Sequence, residues 1–240
     1  MIQKDSKGCQ RSTLPLIIIP AFNEAKTIAS VVLDIRKRYQ YPVLVVNDMS
    51  TDDTVQLARD AGAKVLSLRV QLGAWGATQT GIRYALRKGY ATVLTLDADG
   101  QHEPEYISGL LNQLDQENDI AIGAYIERCS RARHLARFYF KLLTGLQIED
   151  MTSGFRAYNF NAMQIIASAQ ATLLDYQDIG VLLMCRRAGL TISELQTPMN
   201  LRSNGHSRIF SSWWVVMRYM LQTSILCFSQ IGLHNTVQVR

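Results

Sequence analysis

The sequence predicts an α/β fold in which helices flank a mostly parallel, doubly wound central sheet. Short apolar runs alternate with segments of helical spacing through the first half of the chain. This alternation favours parallel strands joined by right-handed crossover helices. The 240 residues, 48% of them hydrophobic, are enough for one sizeable domain, or one domain with an appendage.

Four short apolar runs are predicted to be buried strands, because they are rich in β-branched residues and bounded by turn-forming or polar residues. They cover residues 15–19, 43–46, 64–70 and 91–96. Pro20 ends the first strand, and the carboxylates Asp97 and Asp99 follow the fourth.

Amphipathic helices are predicted between these strands, because apolar residues recur there on one helical face. They cover residues 27–39, 55–61 and 78–87. Thr51 or Asp52 is expected to cap the second helix, and Gly62 to end it. A glycine-bearing loop at residues 72–77 is expected to precede the third helix.

Composition narrows the class of protein. The four cysteines lie far apart without a Cys-x-x-Cys pair, so we expect neither a disulfide framework nor a zinc site, and a reducing compartment fits. Residues 1–14 are polar and lack the apolar core of a signal peptide, which predicts a cytoplasmic protein. The net charge of +5 is a mild excess, so the place where basic residues cluster matters more than their sum.

Several nucleotide-binding classes are excluded by the residues after the first strand. A dinucleotide-binding domain needs Gly-x-Gly-x-x-Gly there, whereas this chain has Pro-Ala-Phe-Asn-Glu at residues 20–24. A P-loop is also excluded, because no Gly-Lys-Ser/Thr occurs. A nucleotidyltransferase would need a glycine-rich basic loop at the same point, and that loop is missing from the sequence.

Asp97 and Asp99 form the strongest chemical signal. In an open α/β sheet, ligands bind outside the carboxyl ends of the strands, where these carboxylates are predicted to lie. Paired carboxylates with open positions suit a hard divalent cation that also holds substrate phosphates. Gln101 offers a further oxygen ligand, whereas His102 is interpreted as a turn residue in preference to a ligand.

Five motifs in order resemble the family 2 inverting glycosyltransferases of GT-A fold, closest to the dolichyl- and polyprenyl-phosphate mannosyl- and glucosyltransferases. They are Pro-Ala-Phe-Asn-Glu at 20–24, Val-Asn-Asp-Met-Ser-Thr-Asp-Asp-Thr at 46–54, Leu-Asp-Ala-Asp-Gly-Gln at 96–101, Asp-Met-Thr-Ser-Gly-Phe-Arg-Ala-Tyr at 150–158 and Arg-Ser-Asn-Gly-His-Ser-Arg at 202–208. Each motif is weak alone, but their order over about residues 16–208 is specific.

The resemblance implies roles for individual residues on the donor side. Asp48 would contact the base or ribose of a nucleotide sugar, in a pocket lined by Pro20, Phe22 and Glu24. The resemblance also implies a bound Mg²⁺ or Mn²⁺ that faces the donor diphosphate. Its ligands would be Asp97, Asp99 and Gln101.

Charged residues later in the chain are expected to complete the site. Arg156, Arg202 and Arg208 are candidates for charge-assisted bonds to phosphate oxygens. A lipid-phosphate acceptor is already an anion and needs no strong base, whereas a hydroxyl acceptor must lose its proton to a carboxylate. Asp178 is the best candidate for that base, and Asp175 is a weaker one.

Three positions depart from the family pattern. Asn47 stands where the family usually has the first of two acids, and Met49 stands where it usually has glycine. Both departures bear on nucleotide selectivity. Trp75 stands where a small or basic residue is common, and it is expected to narrow the donor pocket.

Two segments indicate contact with a membrane surface. Basic residues interleave with apolar ones at helical spacing over residues 128–141, as in helices that bind anionic membranes. Residues 209–233 are long and apolar with Arg218 as their one charge, which favours an interfacial or subunit-contact helix over a membrane span. The predicted division is therefore a catalytic domain at 1–208 and a C-terminal helix and tail at 209–240.

These features together predict a metal-dependent inverting glycosyltransferase. It would move a hexose from a nucleotide sugar of the GDP-mannose or UDP-glucose type to polyprenyl or dolichyl phosphate. We expect it to be cytoplasmic, peripheral on the inner face of the cell membrane and without nucleic-acid partners, and a homo-oligomer is compatible with the sequence. The alternatives are transfer to a hydroxyl acceptor with Asp178 as base, and a degenerate nucleotide-binding protein without activity.

Overall fold

The computed structural model describes residues 2–4, 10–12, 14–125, 148–174 and 179–199. Several predictions concern residues outside these ranges, so they stay predictions. They involve Asp175, Asp178, Arg202, Arg208, the basic segment 128–141 and the C-terminal segment 209–240.

The centre of the molecule is a mixed seven-stranded sheet in the order β5-β4-β3-β6-β8-β7-β9. Its strands are β3 Leu16–Ala21, β4 Val43–Asn47, β5 Lys64–Ser67, β6 Thr92–Thr95, β7 Ile120–Ala124, β8 Arg156–Asn159 and β9 Ile192–Gln196. The neighbours of β8 run antiparallel to it, and all other pairs are parallel. A separate antiparallel pair is formed by β1 Ile2–Lys4 and β2 Gln10–Ser12.

Helices cover both faces of this sheet. They are α1 Ile28–Arg38, α2 Thr54–Asp60, α3 Gly73–Arg87, α4 Ile107–Asp115, α5 Phe160–Ile166, α6 Ala169–Thr172 and α7 Ile179–Arg187, with a 3₁₀ turn at Pro104–Tyr106. Alternate residues of β3 enter two separate apolar cores: Ile18 packs in the core on the α3, α5 and α7 side, and Ile19 in the core on the α1 and α4 side. The predicted fold, a mostly parallel sheet covered on both faces, is confirmed.

Most element boundaries lie within one or two residues of the prediction, but several expectations were wrong. β3 continues through Pro20 to Ala21, so Pro20 does not end the strand. The N-cap residue of α2 is Asp53 and not Thr51 or Asp52, and its side chain makes no capping hydrogen bond. The largest difference concerns α3. That helix begins at Gly73, so the loop predicted at residues 72–77 is largely helical. The third predicted strand is shorter than 64–70, since β5 ends at Ser67 and the Leu68 N–H donates to the Asn47 carbonyl at 2.9 Å. Gly62 ends α2 as predicted, with a φ of 89° that suits glycine.

Within the residues that the structure describes, no helix combines the length and the apolar character needed to cross a bilayer. The predicted C-terminal helix at 209–233 lies outside those residues.

Candidate active site

The polar motifs of the sequence meet at one edge of the sheet. β3, β4 and β6 are parallel neighbours, so their carboxyl ends share that edge. β8 runs the other way and begins there, because Arg156 pairs with Thr95 at the end of β6. This is the edge at which open α/β sheets bind ligands.

Hydrogen bonds join the loops after β3 and β4 into one unit. The Asn23 N–H donates to the Ser50 hydroxyl at 3.0 Å, and the Thr51 N–H donates to Asn23 Oδ1 at 2.8 Å. The Glu24 N–H donates to Thr54 Oγ1 at 2.8 Å. Phe22 and Glu24, two of the predicted pocket residues, are partly buried on the first of these loops, and Pro20, the third, is partly buried near the end of β3. The structure therefore brings them next to the segment that carries Asp48.

Asp48 is buried and holds the start of α3. Its Oδ1 accepts the Leu72 N–H at 2.7 Å, and its Oδ2 accepts the Gly73 N–H at 2.8 Å. Asp48 is 3% exposed, so the carboxylate is fixed in place. Each carboxylate oxygen can accept a second hydrogen bond. Asp48 can therefore contact a nucleotide while it also accepts the N–H groups at the start of α3. The sequence did not suggest this second role.

The two departures beside Asp48 are accommodated differently. Asn47 is buried and uses both ends of its amide: Oδ1 accepts the Ser50 N–H at 3.0 Å, and Nδ2 donates to Ser67 Oγ at 3.4 Å. Met49 has a φ of 64° in the left-handed region, where the family's glycine would be unstrained. Its side chain is 45% exposed.

Asp97 and Asp99 lie directly beyond β6, which ends at Thr95. The side chain of Asp97 is 50% exposed, and Asp99 is partly buried. The Gln101 N–H donates to Asp99 Oδ1 at 3.1 Å, so Asp99 and Gln101 share a tight turn through Gly100. The structure therefore keeps the three predicted metal ligands on one short segment.

His102 is buried beside this segment instead of lying in a solvent-facing turn. Its side chain is 3% exposed, and Nε2 lies 3.3 Å from Asp97 Oδ2. The imidazole packs on the Phe155 ring, with centroids 5.0 Å apart and planes inclined by 30°. The sequence showed that His102 is near the carboxylates, but not that its ring contacts one of them.

The turn before β8 lies against Asp97. Thr95 Oγ1 donates to the Gly154 carbonyl at 2.8 Å, and the Gly123 N–H donates to the Phe155 carbonyl at 2.8 Å. A Cβ on Gly154 would meet Asp97 Oδ1 at 2.6 Å. The motif at residues 150–158 therefore supplies a wall for the first carboxylate.

The structure does not support the predicted phosphate contact of Arg156. The residue is 0% exposed, and its guanidinium points into the protein. Nε donates to the Ser153 carbonyl at 2.8 Å, and Nη2 donates to the Met151 carbonyl at 2.6 Å. In this arrangement Arg156 fixes the turn next to Asp97, because it satisfies two of the turn's backbone carbonyls.

Trp75 does not narrow a donor pocket, contrary to the expectation. It is 6% exposed and belongs to the apolar core on the α3 face of the sheet. Its indole N–H donates to the Ala171 carbonyl at 3.0 Å. The glycines of residues 72–77 suggest a loop, but this segment forms the first turn of α3 and buries the indole ring.

A partly buried carboxylate also supports the segment that leads into the turn. Glu194 accepts the N–H groups of Glu149 and Asp150 at 2.7 and 2.8 Å. Burial raises the pKa of Glu194 above its ordinary value, although these hydrogen bonds oppose the shift. Glu194 therefore secures the start of the 150–158 motif to β9.

The side-chain oxygens at this edge suit a divalent cation that is also bound by substrate phosphates. Among the described residues, no group of three or more His, Cys, Asp or Glu side chains forms a ready-made metal site. Asp97, Asp99 and Gln101 offer hard oxygens only, which suits Mg²⁺ or Mn²⁺ held by one or two carboxylates together with substrate phosphates. Four further candidates lie outside the described residues, so their roles at this site stay predictions: Arg202, Arg208, Asp178 and Asp175.

Relatives of known name point to sugar transfer. A polyprenol monophosphomannose synthase of Mycolicibacterium smegmatis is 32% identical over 168 residues, which are 63% of this chain and 63% of that protein. An undecaprenyl-phosphate mannosyltransferase of Micrococcus luteus is 30% identical over 63% of this chain and 68% of its own length. A UDP-N-acetylglucosamine–dolichyl-phosphate N-acetylglucosaminyltransferase of Methanococcus voltae is 26% identical over 75% of this chain and 82% of its own.

The fold also matches solved structures of a glycosyltransferase. Glucosyl-3-phosphoglycerate synthase from Mycobacterium tuberculosis, crystallised with Mn²⁺, UDP-glucose and phosphoglyceric acid, superimposes with a TM-score of 0.70 and 22% identity. The match covers 93% of this chain and 81% of that chain, and it confirms the expected GT-A fold. The model of the family described as "Glycosyl transferase family 2" matches residues 16–167, from β3 to the end of α5. The chain therefore belongs to glycosyl transferase family 2.

Proposed function

We propose that this protein is an inverting, metal-dependent glycosyltransferase that moves a hexose from a nucleotide sugar to a polyprenyl or dolichyl phosphate. The observation that carries the proposal is the half-exposed Asp97 carboxylate, which lies with Asp99 at the carboxyl edge of the sheet. Nucleotide sugars of the GDP-mannose and UDP-glucose types are the donors we expect. The names of the three relatives support the acceptor class.

The residues at the sheet edge divide the binding task. Asp48, with Pro20 near the end of β3 and Phe22 and Glu24 on the adjoining loop, would hold the nucleoside. Asp97, Asp99 and Gln101 would hold Mg²⁺ or Mn²⁺ next to the diphosphate. A bound divalent cation supplies a Lewis acid that neutralises charge on the departing diphosphate. Arg202 and Arg208 are proposed to reach the phosphate oxygens from the segment beyond residue 199.

The acceptor decides whether a base is needed. A lipid phosphate is already an anion at neutral pH, so it can attack the sugar without losing a proton. Asp178 would act as base for a hydroxyl acceptor, which remains the alternative. Replacing Asp178 by Asn should therefore be nearly silent with polyprenyl phosphate and strongly impairing with a hydroxyl acceptor.

Contact with the lipid acceptor is proposed for the basic segment 128–141 at the inner face of the cell membrane. Substitution of Arg131, Arg133 and Arg137 by Gln should release the protein from anionic liposomes, because the attraction comes from cationic side chains next to anionic headgroups. Unchanged flotation of this variant would remove the membrane assignment.

The decisive experiment assays GDP- and UDP-sugars against polyprenyl phosphate, with and without EDTA. We expect transfer that EDTA abolishes and Mn²⁺ or Mg²⁺ restores. Asp99→Asn should abolish transfer and weaken donor binding in Mn²⁺. Asp115→Asn is the matched control, because Asp115 is exposed at the end of α4. Full turnover of the Asp99 variant, or full turnover in EDTA, would refute the metal assignment.

A further inference from the structure

One side chain in contact with the proposed metal site has no role so far. His102 lies within the protein with its side chain 3% exposed, whereas that of Asp97, its neighbour in space, is 50% exposed. The buried imidazole therefore contacts a carboxylate that remains half-exposed to solvent.

The direction of the hydrogen bond follows from the chemistry of the two groups. His102 Nε2 lies 3.3 Å from Asp97 Oδ2, and an ionised carboxylate can only accept. Nε2–H must therefore donate to Oδ2. This bond occupies one lone pair of that oxygen.

Two contacts hold His102 in this position. Its face packs on the Phe155 ring at a centroid distance of 5.0 Å. The backbone of His102 forms an antiparallel bridge with Met199, beyond the end of β9. Phe155 in turn lies in the turn that Arg156 and Thr95 fix, so the donor to Asp97 is attached to rigid parts of the sheet edge.

Packing alone does not explain a histidine at this position, as the second ring nitrogen shows. Nδ1 is buried, and no described residue forms a hydrogen bond with it. An unsatisfied buried polar atom costs about 1–3 kcal/mol, which an apolar ring of similar size would avoid. The benefit of a histidine here lies in its bond to Asp97.

We infer that His102 is a positioning residue for Asp97: it holds the first carboxylate of the Asp-x-Asp pair in the orientation that binds the cation. Hydrogen bonds to ligating groups fix their orientation and tune their affinity for metal. His102 is not itself a metal ligand in this arrangement, because Nε2 is engaged and Nδ1 is buried. The inference rests on the proposed metal site.

The test measures the dissociation constant of Mn²⁺ in the presence of UDP or GDP by the EPR signal of free Mn²⁺. His102→Phe should weaken Mn²⁺ binding by about 10- to 100-fold, because the donor to Asp97 is lost. His102→Gln should stay within about threefold of the parent, since its amide N–H can replace Nε2–H. Asp115→Asn, at the exposed end of α4 and away from this contact, is the control and should keep the parent's Mn²⁺ affinity.

A second pair of variants covers the case in which His102→Phe does not fold. His102→Asn carries the same amide as His102→Gln on a shorter side chain, so it should bind Mn²⁺ as weakly as an apolar variant. In an Asp97→Asn background, His102→Asn should cause no further loss, because a positioning residue acts through its partner.

Three results would overturn the inference. The first is a folded His102→Phe or His102→Asn variant with the parent's Mn²⁺ affinity. The second is a His102→Gln variant that binds Mn²⁺ as weakly as His102→Asn. The third is a loss of Mn²⁺ affinity, caused by His102→Asn in the Asp97→Asn background, that is as large as its loss in the parent. If the parent itself binds no Mn²⁺ with either nucleotide, the proposed metal site fails too. Binding by the parent together with unaffected variants refutes the role of His102 alone.

Discussion

The backbone of Gly154 lies directly against the carboxylate of Asp97. A Cβ built on Gly154 would stand 2.6 Å from Oδ1 and 2.9 Å from Oδ2. The turn cannot easily retreat, because its Gly154 carbonyl accepts a hydrogen bond from Thr95 at 2.8 Å and its Ser153 carbonyl accepts one from Arg156 at 2.8 Å. Any side chain at position 154 must therefore displace the carboxylate.

Gly154→Ala is expected to weaken Mn²⁺ binding by about 10-fold or more, a loss similar to that caused by changes around metal ligands. The physical reason is steric: a methyl group would push Asp97 off its present rotamer. Mn²⁺ titration by EPR in the presence of a nucleoside diphosphate measures the effect.

Gly109→Ala is the matched control for Gly154→Ala. Its Cβ would also meet an atom at 2.6 Å, but that atom is the flexible Leu195 Cδ2 in the apolar core. It lies inside α4, where alanine is about 1 kcal/mol better than glycine in helix propensity. Mn²⁺ affinity should therefore survive in Gly109→Ala. Equal affinities of the parent and Gly154→Ala would show that Asp97 does not bind the cation.

The sequence was most informative where strand ends carry polar residues. The apolar runs placed Asp48, Asp97 and Asp99 at the ends of parallel strands, and parallel strands bring such ends to one edge of a sheet. That part of the candidate site followed from periodicity and from the family motifs alone. The structure places the same three residues at that edge.

Contacts across the sheet were not predictable in the same way. Whether Arg156 faces a ligand or the interior depends on the register of β8 between β6 and β7, which the local sequence does not encode. The contact between His102 and Asp97 likewise depends on the bridge between His102 and Met199, residues nearly a hundred positions apart. Trp75 was misplaced because Gly73 and Gly76 suggested a loop, although both glycines belong to α3.

Trp75→Phe is expected to lower the free energy of unfolding by about 1 kcal/mol, because the bond from the indole N–H to the Ala171 carbonyl is lost. It should leave the relative use of GDP- and UDP-sugars unchanged, since Trp75 is a core residue. Chemical denaturation and a donor competition assay measure the two effects. A changed donor preference with unchanged stability would return Trp75 to the donor pocket.

Met49→Gly is expected to stabilise the protein by about 0.5–1 kcal/mol. The left-handed conformation costs a non-glycine residue about 1–2 kcal/mol, and the extra freedom of glycine in the unfolded chain offsets part of that gain. Met49 is 45% exposed, so little apolar burial is lost. Thermal unfolding should show an increase in Tm of roughly 2–4 °C per kcal/mol.

Met49→Ala is the matched control for Met49→Gly, because it removes the side chain and keeps the strained φ. It should give no increase in Tm. A gain in the alanine variant as large as that in the glycine variant would show that the methionine side chain, and not the backbone conformation, is the source of the cost.

Asp119 joins three strands at the end of the sheet opposite the candidate site. It precedes β7, and its Oδ2 accepts the Thr191 N–H at 2.9 Å, just before β9 begins. Its Oδ1 accepts from Asn159 Nδ2 at 2.7 Å, at the end of β8. Burial by itself raises the pKa of Asp119, but hydrogen bonds from Thr191 and Asn159 outweigh it and hold the pKa below its ordinary value.

Asp119→Asn should therefore lower the free energy of unfolding by about 1.5–3 kcal/mol at pH 7, the range for hydrogen bonds to charged groups. Because the pKa is lower in the folded state, the unfolded chain binds more protons in the acid range. The stabilisation by Asp119 is present above its ordinary pKa of about 3.9 and is lost as the pH falls through the folded value. The difference in the free energy of unfolding between parent and variant should then shrink toward pH 3.

Urea unfolding at pH 7 and pH 3 measures this difference. Asp115→Asn is the control, and its free energy of unfolding should stay within about 0.5 kcal/mol of the parent's at pH 7. A gap that stays constant down to pH 3 would contradict the charged hydrogen bonds of Asp119. Mn²⁺ affinity should be the same in the parent and in Asp119→Asn, because the change lies at the far end of the sheet.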